Sequence, residues 1–288
     1  MSTEPQPGNL YIVGTPIGNL EDISFRAIKI LQNCDAIAAE DTRHTGKLLH
    51  HFQITTPQIS YHDHNEQQRI PEIIEQLQAG KAIALVTDAG MPGISDPGYQ
   101  LVKACVEAKI IVVPIPGASA AIAALSAAGL PTERFVFEGF LPTKGKVRQE
   151  RLELLSSETR TLIFYEAPHR LRQTLDDLAA TFGENRWLVL ARELTKLHEE
   201  FWRGTIGEAV AHYLQHHPQG EFTLVVGGAQ LVKPEFSEEE LKAELVKLFS
   251  QGISRSQASR QLAKTTALPR QRLYQLALNI EFKFASND

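Results

Sequence analysis

Four short segments hold most of the residues able to do chemistry, and each directly follows an apolar run: GTPIGN at 14–19, AEDTRHT at 39–45, TDAGMPGISDPG at 87–98 and PIPGASA at 114–120. They are short and either polar or rich in Gly and Pro, which lets backbone amides and carbonyls approach a ligand closely. GTPIGN is not a G-x-G-x-x-G fingerprint, and G-x-x-x-x-G-K-[ST] occurs nowhere, so neither motif that cradles phosphates is present. Asp88, after AIALVT, mimics the carboxylate at the end of a nucleotide-triphosphatase strand; without a phosphate loop, turn formation is the stronger reading for it and for Asp96. Glu40 and Asp41 could accept a proton, and Arg43 could hold an anion. The same EDTR also spells a capped helix start, with Asp41 or Thr42 as N-cap and Arg43 in a surface pair. The pairs His50/His51, His62/His64 and His216/His217 lack a third ligand in a recognisable frame, so no metal is expected. No G-x-S-x-G nucleophile elbow occurs.

The elements that would carry these loops alternate. LYIVG, AIAAE, AIALVT and IIVVPI read as strands; SFRAIKILQN, RIPEIIEQLQAG and YQLVKACVEAK read as helices, the first burying Phe25, Ile28, Ile30 and Leu31. Such alternation predicts a largely parallel, helix-covered sheet, and the unbroken apolar character of AIALV and IIVV predicts strands buried on both faces. The four segments then lie beyond the carboxyl ends of the strands, where an open α/β sheet binds its ligand. From Ile110 to Pro131 no charged residue occurs, a membrane-span length, but Pro114, Pro116 and Gly117 divide it into a strand and a small-residue helix from Ser119 to about Ala128.

After Pro131 the strand-like segments RFVFEGF, TLIFYE, RWLVLARE and EFTLVVGG are richer in aromatics, and some are expected to run antiparallel. The fold class is therefore α/β, with two α/β lobes and a small C-terminal helical extension. The expected boundaries are a disordered lead at 1–9, lobes at 10–130 and 131–232, and the extension at 233–288. In the extension Ser237 and Glu240 spell a capping box, Gly252 a stop and Pro269 a third helix start. Its three short helices fit either a helix-turn-helix unit or a helical cap on the second lobe.

The net charge of −5, from 29 Lys plus Arg against 34 Asp plus Glu, confines any nucleic-acid contact to local basic clusters. Three stand out: Lys144, Lys146, Arg148 and Arg151; His169, Arg170 and Arg172; and Arg255, Arg260, Lys264, Arg270 and Arg272. Cys34 and Cys105 stand apart, which fits a reducing cytoplasm, and the N-terminal residues lack the pattern of a signal peptide.

Taken in order, LYIVGTPIGNLEDISFRAIKIL, AAEDTRHT, DAGMPGISDPG, PGASA and FYEAPHRL resemble the tetrapyrrole-methylase superfamily over Leu10 to about Gly228. AEDTRHT, HDHNEQ and YEAPHR resemble the branch that methylates small-subunit ribosomal RNA; other members carry G-x-G-P-G-D in the first loop and G-D-P in the third. The resemblance implies S-adenosylmethionine (AdoMet) bound in a cleft between the lobes, and methylation of a cytidine 2′-hydroxyl in the decoding region of 16S rRNA. Naked rRNA or the 30S subunit would be the partner, and a homodimer without membrane association the state. It places cofactor contacts at Ile17 and Gly18, at Gly90, Met91, Pro92, Ile94 and Ser95, at Ser119 and Ala120, and at Glu166 and Leu194. Asp88 is a further polar candidate, and Leu194 and Val225 could form an adenine slot. Asp41, Arg43 and Glu40 become the candidate catalytic group, with His64, Glu166, His169 or Lys196 facing them. RNA contacts are expected from Lys144, Lys146, Arg148, Arg170, Arg255, Arg260, Arg270 and Arg272. Two other readings remain: a methyltransferase of a tetrapyrrole or other small molecule, and a non-catalytic RNA-binding factor.

Overall fold

The computed structural model describes residues 4–230, 236–266 and 268–281. The chain forms two compact units, Met1–Ala229 and Gln230–Asp288. In the larger, β1 (Leu10–Val13), β2 (Ala36–Ala39), β3 (Gln58–Ser60), β4 (Ile83–Val86) and β5 (Val112–Ile115) form a parallel sheet in the order β3-β2-β4-β1-β5. Every side chain of β1, β2 and β4 is buried, alternately on two faces. Tyr11, Val13, Ile37 and Val86 pack on one face with Ala27, Ile30 and Leu31 of α1 (Phe25–Asn33). Leu10, Ile12 and Leu85 pack on the other, with Ile73 of α3 (Glu66–Gln78) and Leu101 of α4 (Tyr99–Glu107).

Three sequence expectations change here. Phe25 is 87% exposed, and Ala27 takes the buried place expected for it. Ser24 accepts a hydrogen bond from the Ala27 N–H, so the cap fixes the helix phase with Phe25 outward. IIVVPI forms an edge strand rather than a doubly buried one, and Ile111 beside it is 62% exposed. β3 and β9 (Glu200–Thr205) have no clear counterpart in the pattern: the first is three residues long, the second carries charge, and both are edges.

The second sheet contains β6 (Phe135–Phe140), β7 (Thr161–Glu166), β8 (Trp187–Arg192), β9 and β10 (Phe222–Val226), ordered β6-β7-β10-β8-β9. β6 and β7 are parallel; the other pairs are antiparallel. One face packs against α6 (Lys146–Ser156), α7 (Leu171–Phe182) and α8 (Ile206–Gln215) through Leu155, Leu171, Leu175 and Ile206. The other receives α5 (Ala120–Ala128), whose Ala121, Ala124, Leu125 and Ala128 lie on Ile163, Val189 and Val225. The small-residue helix thus joins the lobes: it leaves the last strand of the first sheet and packs on the second. No helix among the described residues is long and apolar enough to cross a membrane.

The smaller unit comprises α9 (Glu238–Ser250), α10 (Arg255–Thr266) and α11 (Arg270–Leu278) around Leu241, Leu245, Phe249, Ala258, Leu262 and Leu273. The Ser237/Glu240 capping box is present.

Candidate active site

The parallel strands release their loops at one end of the first sheet, where backbone contacts bind those loops together. The Thr15 N–H donates to the Gly90 carbonyl at 2.9 Å, and the Gly90 N–H returns a bond to Thr15 at 3.1 Å. Gly14 and Gly117 meet backbone to backbone: a Cβ on Gly117 would lie 2.7 Å from Gly14 Cα, and one on Gly14 would lie 2.7 Å from Gly117 Cα. Only glycine on both sides permits this approach.

A cavity of about 480 Å³ lies between these loops and the second sheet, within the range of small-ligand sites. Ile17, Gly90, Met91, Ile94, Ser95, Ser119, Ala120, Glu166 and Leu194 all line it. Pro92 is buried within its loop, and Gly18 packs under the 194–196 backbone and side chains instead. Val225 does not line it: the residue is fully buried beneath α5, and Phe222 and Thr223 occupy the wall. Antiparallel pairing is the reason. Phe222 sits opposite Glu166, so the beginning of β10, not its end, reaches the cleft.

Ser119 caps α5 without a side-chain hydrogen bond to the helix, and the Ala121 N–H donates to the Tyr165 hydroxyl at 3.2 Å. The cavity wall therefore includes a helix N-terminus whose partial positive charge suits a carboxylate. The same cavity is lined by Asp96, which sequence reasoning took for a turn residue. Its carboxylate accepts no hydrogen bond and joins no ion pair among the described residues. Burial, with the charges of Glu40, Asp88 and Asp63, pushes it up to about 7. SDPG spells a turn; the crowding by carboxylates from other loops is a tertiary effect with no local signal.

Glu166 is 2% exposed and turns into its own lobe. It accepts from Thr174 Oγ1 at 2.5 Å and the Ala167 N–H at 2.9 Å, with Arg170 Nε at 3.3 Å. Asp88 lies outside the cavity wall and links two loops. Its Oδ1 accepts from the Asp41 N–H at 3.2 Å, and its own N–H donates to Glu40 Oε2 at 3.3 Å.

The EDTR segment realises the helix-start reading. Asp41 caps α2 (Thr42–His51) by accepting from the Arg43 N–H at 2.8 Å, and its carboxylate takes the Arg43 Nε and Nη2 at 3.1 and 2.7 Å. The Arg43 side chain is 89% exposed. Its fork, beside Asp41, holds that carboxyl well below the usual carboxylate range. Glu40 is shifted the other way, upward, by burial first and then by the charges of Asp88, Asp63 and Asp41, against the Asp88 N–H. Of the expected partners, His64 and His169 are exposed, and Lys196 is held by Glu193 at 3.0 Å and Glu221 at 2.9 Å.

The basic clusters divide. Arg148 is buried, bonded to Asp177 at 2.7 Å, Thr174 at 2.8 Å and the Pro142 carbonyl at 2.9 Å, so it braces α6 and α7 rather than meeting RNA. Arg170 donates to the Leu141 carbonyl at 2.6 Å, and Arg255 joins the start of α10 to the Ala277 and Ile280 carbonyls, both at 3.0 Å. These three expected RNA contacts are corrected to structural braces. Arg side chains satisfy several carbonyls at once, and sequence does not separate that use from a surface one. Lys144, Lys146, Arg260, Arg270 and Arg272 are exposed.

An AdoMet fits this site by the chemistry of its walls: a helix N-terminus for the carboxylate, the unpartnered Asp96 for a cation, and apolar Ile17, Leu194 and Ala191 for the adenine. Residues 9–210 match the family described as Tetrapyrrole (Corrin/Porphyrin) Methylases. A relative from Synechocystis sp., named ribosomal RNA small subunit methyltransferase I, is 62% identical over 275 residues, 95% of this chain and 99% of the relative. The protein of that name in Escherichia coli O157:H7 is 48% identical over 286 residues, 99% and 96% of the two chains. Among solved structures, a uroporphyrin-III-C-methyltransferase from Thermus thermophilus covers 86% of this chain and 99% of its own, at 19% identity and a TM-score of 0.56. A uroporphyrin-III C-methyltransferase structure from Thermus thermophilus complexed with S-adenosylhomocysteine covers 76% and 97%, at 16% identity and a TM-score of 0.55. The chain belongs to the tetrapyrrole methylase family and, within it, to the ribosomal RNA small subunit methyltransferase I group.

Proposed function

We propose that this protein is an AdoMet-dependent methyltransferase acting on the ribose 2′-hydroxyl of a cytidine in the decoding region of 16S rRNA. The observation that carries the reading is that Asp96 and the N-terminus of α5 line one cavity, a match for a ligand bearing both a cation and a carboxylate. Bound there, AdoMet supplies a methyl group on positively charged sulfur. Ser119 and Ala120 meet its carboxylate end, Asp96 its positive charge, and Ile17, Met91 and Leu194 its apolar surface; Gly90, Ile94 and Ser95 complete the wall. Gly18 and Pro92 act from behind, holding the loops in place.

The remaining residues act on the RNA. A ribose hydroxyl is a weak nucleophile near neutral pH, so alignment and a proton acceptor both matter; oriented reactants reach effective molarities of about 10⁵–10⁸ M. Glu40, whose proton affinity is raised, is the better acceptor; Asp41, committed to Arg43 and to α2, is a positioning residue. Arg43 presents its guanidinium to a phosphate, and Lys144, Lys146, Arg260, Arg270 and Arg272 add sequence-independent contacts that weaken with salt. The same reading puts the protein in the cytoplasm with ribosomal subunits, as a homodimer that sedimentation would detect.

The test is incubation of the protein and methyl-labelled AdoMet with 30S subunits and with protein-free 16S rRNA, followed by nuclease mapping. We expect label on the 2′-oxygen of a single cytidine. Label on a base, or none on either substrate, refutes the reading.

A further inference from the structure

β6 contains one extra residue. Phe137 pairs with Ile163, but the next partners are Gly139 with Phe164 and Phe140 with Tyr165, so the register slips between Phe137 and Gly139. Gly139 has φ +63, the left-handed conformation that glycine takes without strain. In an unbroken strand Phe140 would face away from Phe137. The bulge reverses that: Phe140 now shares the face of Phe137, Ile163 and Tyr165, the face that holds the cavity. Bulges beside functional sites commonly re-aim a side chain in this way.

What the bulge aims is an exposed ring. Three aromatic residues line the cavity, but the Phe222 side chain belongs to the core on the opposite face of the sheet. Phe222 is 3% exposed, and the Tyr165 hydroxyl is engaged by the Ala121 N–H. Phe140 is 52% exposed, supported by Tyr165 at 5.7 Å between ring centroids in an edge arrangement. It also forms the shared wall between the cavity and a neighbouring groove of about 420 Å³ floored by Leu141, Pro142, Val147 and Leu154. The two carboxylates that line that groove, Glu138 and Glu150, each have a cationic partner. Glu138 is bonded to Arg151 at 2.7 Å and Glu150 faces Lys146 at 3.5 Å, while Lys144 has no ionic partner among the described residues. An apolar floor, paired carboxylates and an open aromatic face, with exposed Lys144 on the segment that leads from β6 into α6, suit an unstacked nucleotide.

We propose that Phe140 is the platform on which a base of the substrate RNA stacks, fixing the target ribose at the mouth of the cofactor cavity. The inference rests on the RNA reading given above and adds the residue that seats the nucleotide. A flat ring has a π-face for any base, so Phe140 contributes affinity and orientation rather than choice of base.

The test compares Phe140→Ala, Phe140→Leu and Phe140→Trp in the full chain. The substrates are 30S subunits and an rRNA oligonucleotide with fluorescent pyrrolocytidine at the target position. Stacking on the wild-type ring should quench the fluorophore. Phe140→Ala and Phe140→Leu should lose the quenching and raise KM for RNA about tenfold or more, Phe140→Trp should keep both near wild type, and AdoMet affinity should change little throughout. Normal quenching and KM in Phe140→Ala would overturn the proposal. So would a parallel loss of AdoMet affinity, which makes the ring a cofactor wall, or conversion of the variant to a smaller oligomer, which makes it a subunit contact. Failure of the RNA reading looks different: the wild-type protein itself would place no label on a ribose.

Discussion

Asp96 and Asp41 lie on neighbouring loops and have opposite acidities. Asp41 has its own arginine, so it stays ionised; Asp96, buried and crowded by the charges of Glu40, Asp88 and Asp63, holds its proton up to about 7. A cation in the cavity relieves that crowding, so AdoMet affinity should rise as pH increases through about 7, and Asp96→Asn should lose at least about tenfold in affinity with a flat pH profile. Calorimetry across that range checks both. Without ligand the sign is reversed. A carboxyl raised in the folded state stabilises the fold below its unfolded pKa of about 3.9 relative to high pH, and that contribution is lost as pH rises through about 7. Asp96→Asn should therefore melt higher than wild type at about pH 8 and match it at about pH 3. Arg43→Ala should abolish most methylation while leaving AdoMet binding intact, since its fork faces solvent; unchanged turnover would remove it from the site. Arg148→Ala should cost about 3 kcal/mol in urea unfolding because Asp177 loses its buried partner, whereas Lys144→Ala should stay within about 0.5 kcal/mol.

At the scale of elements, what was legible followed from periodicity and punctuation. LYIV, AIAA and IALV are short, wholly apolar and bounded by polar or Gly/Pro loops, and all three are central strands. The capping box at Ser237 and the proline-broken run around Pro114 were equally local, and both stand. The losses are tertiary. EFTLVVGG reads as a strand but does not say which way it runs, so Val225 was placed at the wrong end of it. KVRQER reads as a basic stretch, yet its Arg148 is drawn inward by Asp177 and Thr174, distant in sequence. The bulge in RFVFEGF has only Gly139 as a signal, and a lone glycine in a strand has several uses. The loops that line the cavity were legible because small residues cluster for a steric reason; Asp96 was not, because its acidity belongs to its neighbours.

On the scale of the whole molecule, the chain separates the tasks. The larger unit contains both sheets and the complete cavity wall. The smaller has its own core and presents Arg260, Arg270 and Arg272 on its exterior. Since the chain carries net negative charge, rRNA must be met by such local patches, and affinity should fall steeply with salt. Removing the chain from Gln230 onward should leave AdoMet affinity unchanged, weaken rRNA binding and flatten its salt dependence; filter binding over a salt series checks this. Equal loss of both affinities would instead make the helical unit a cap that the larger unit needs.

The contact between Gly14 and Gly117 bears on how this site can change by mutation. Most packing errors are repairable, because a neighbouring side chain trims to compensate. Here the space is bounded largely by main-chain atoms, and every residue type carries the same main chain. Met91 Sδ, the atom nearest to a Cβ on Gly14 at 2.6 Å, could move or shrink, but the Gly117 backbone could not. Selection for restored function starting from Gly117→Ala should therefore return only glycine at that position, never a second-site suppressor. The loops after β1 and β5 are locked to each other's sequence for as long as the cavity is kept.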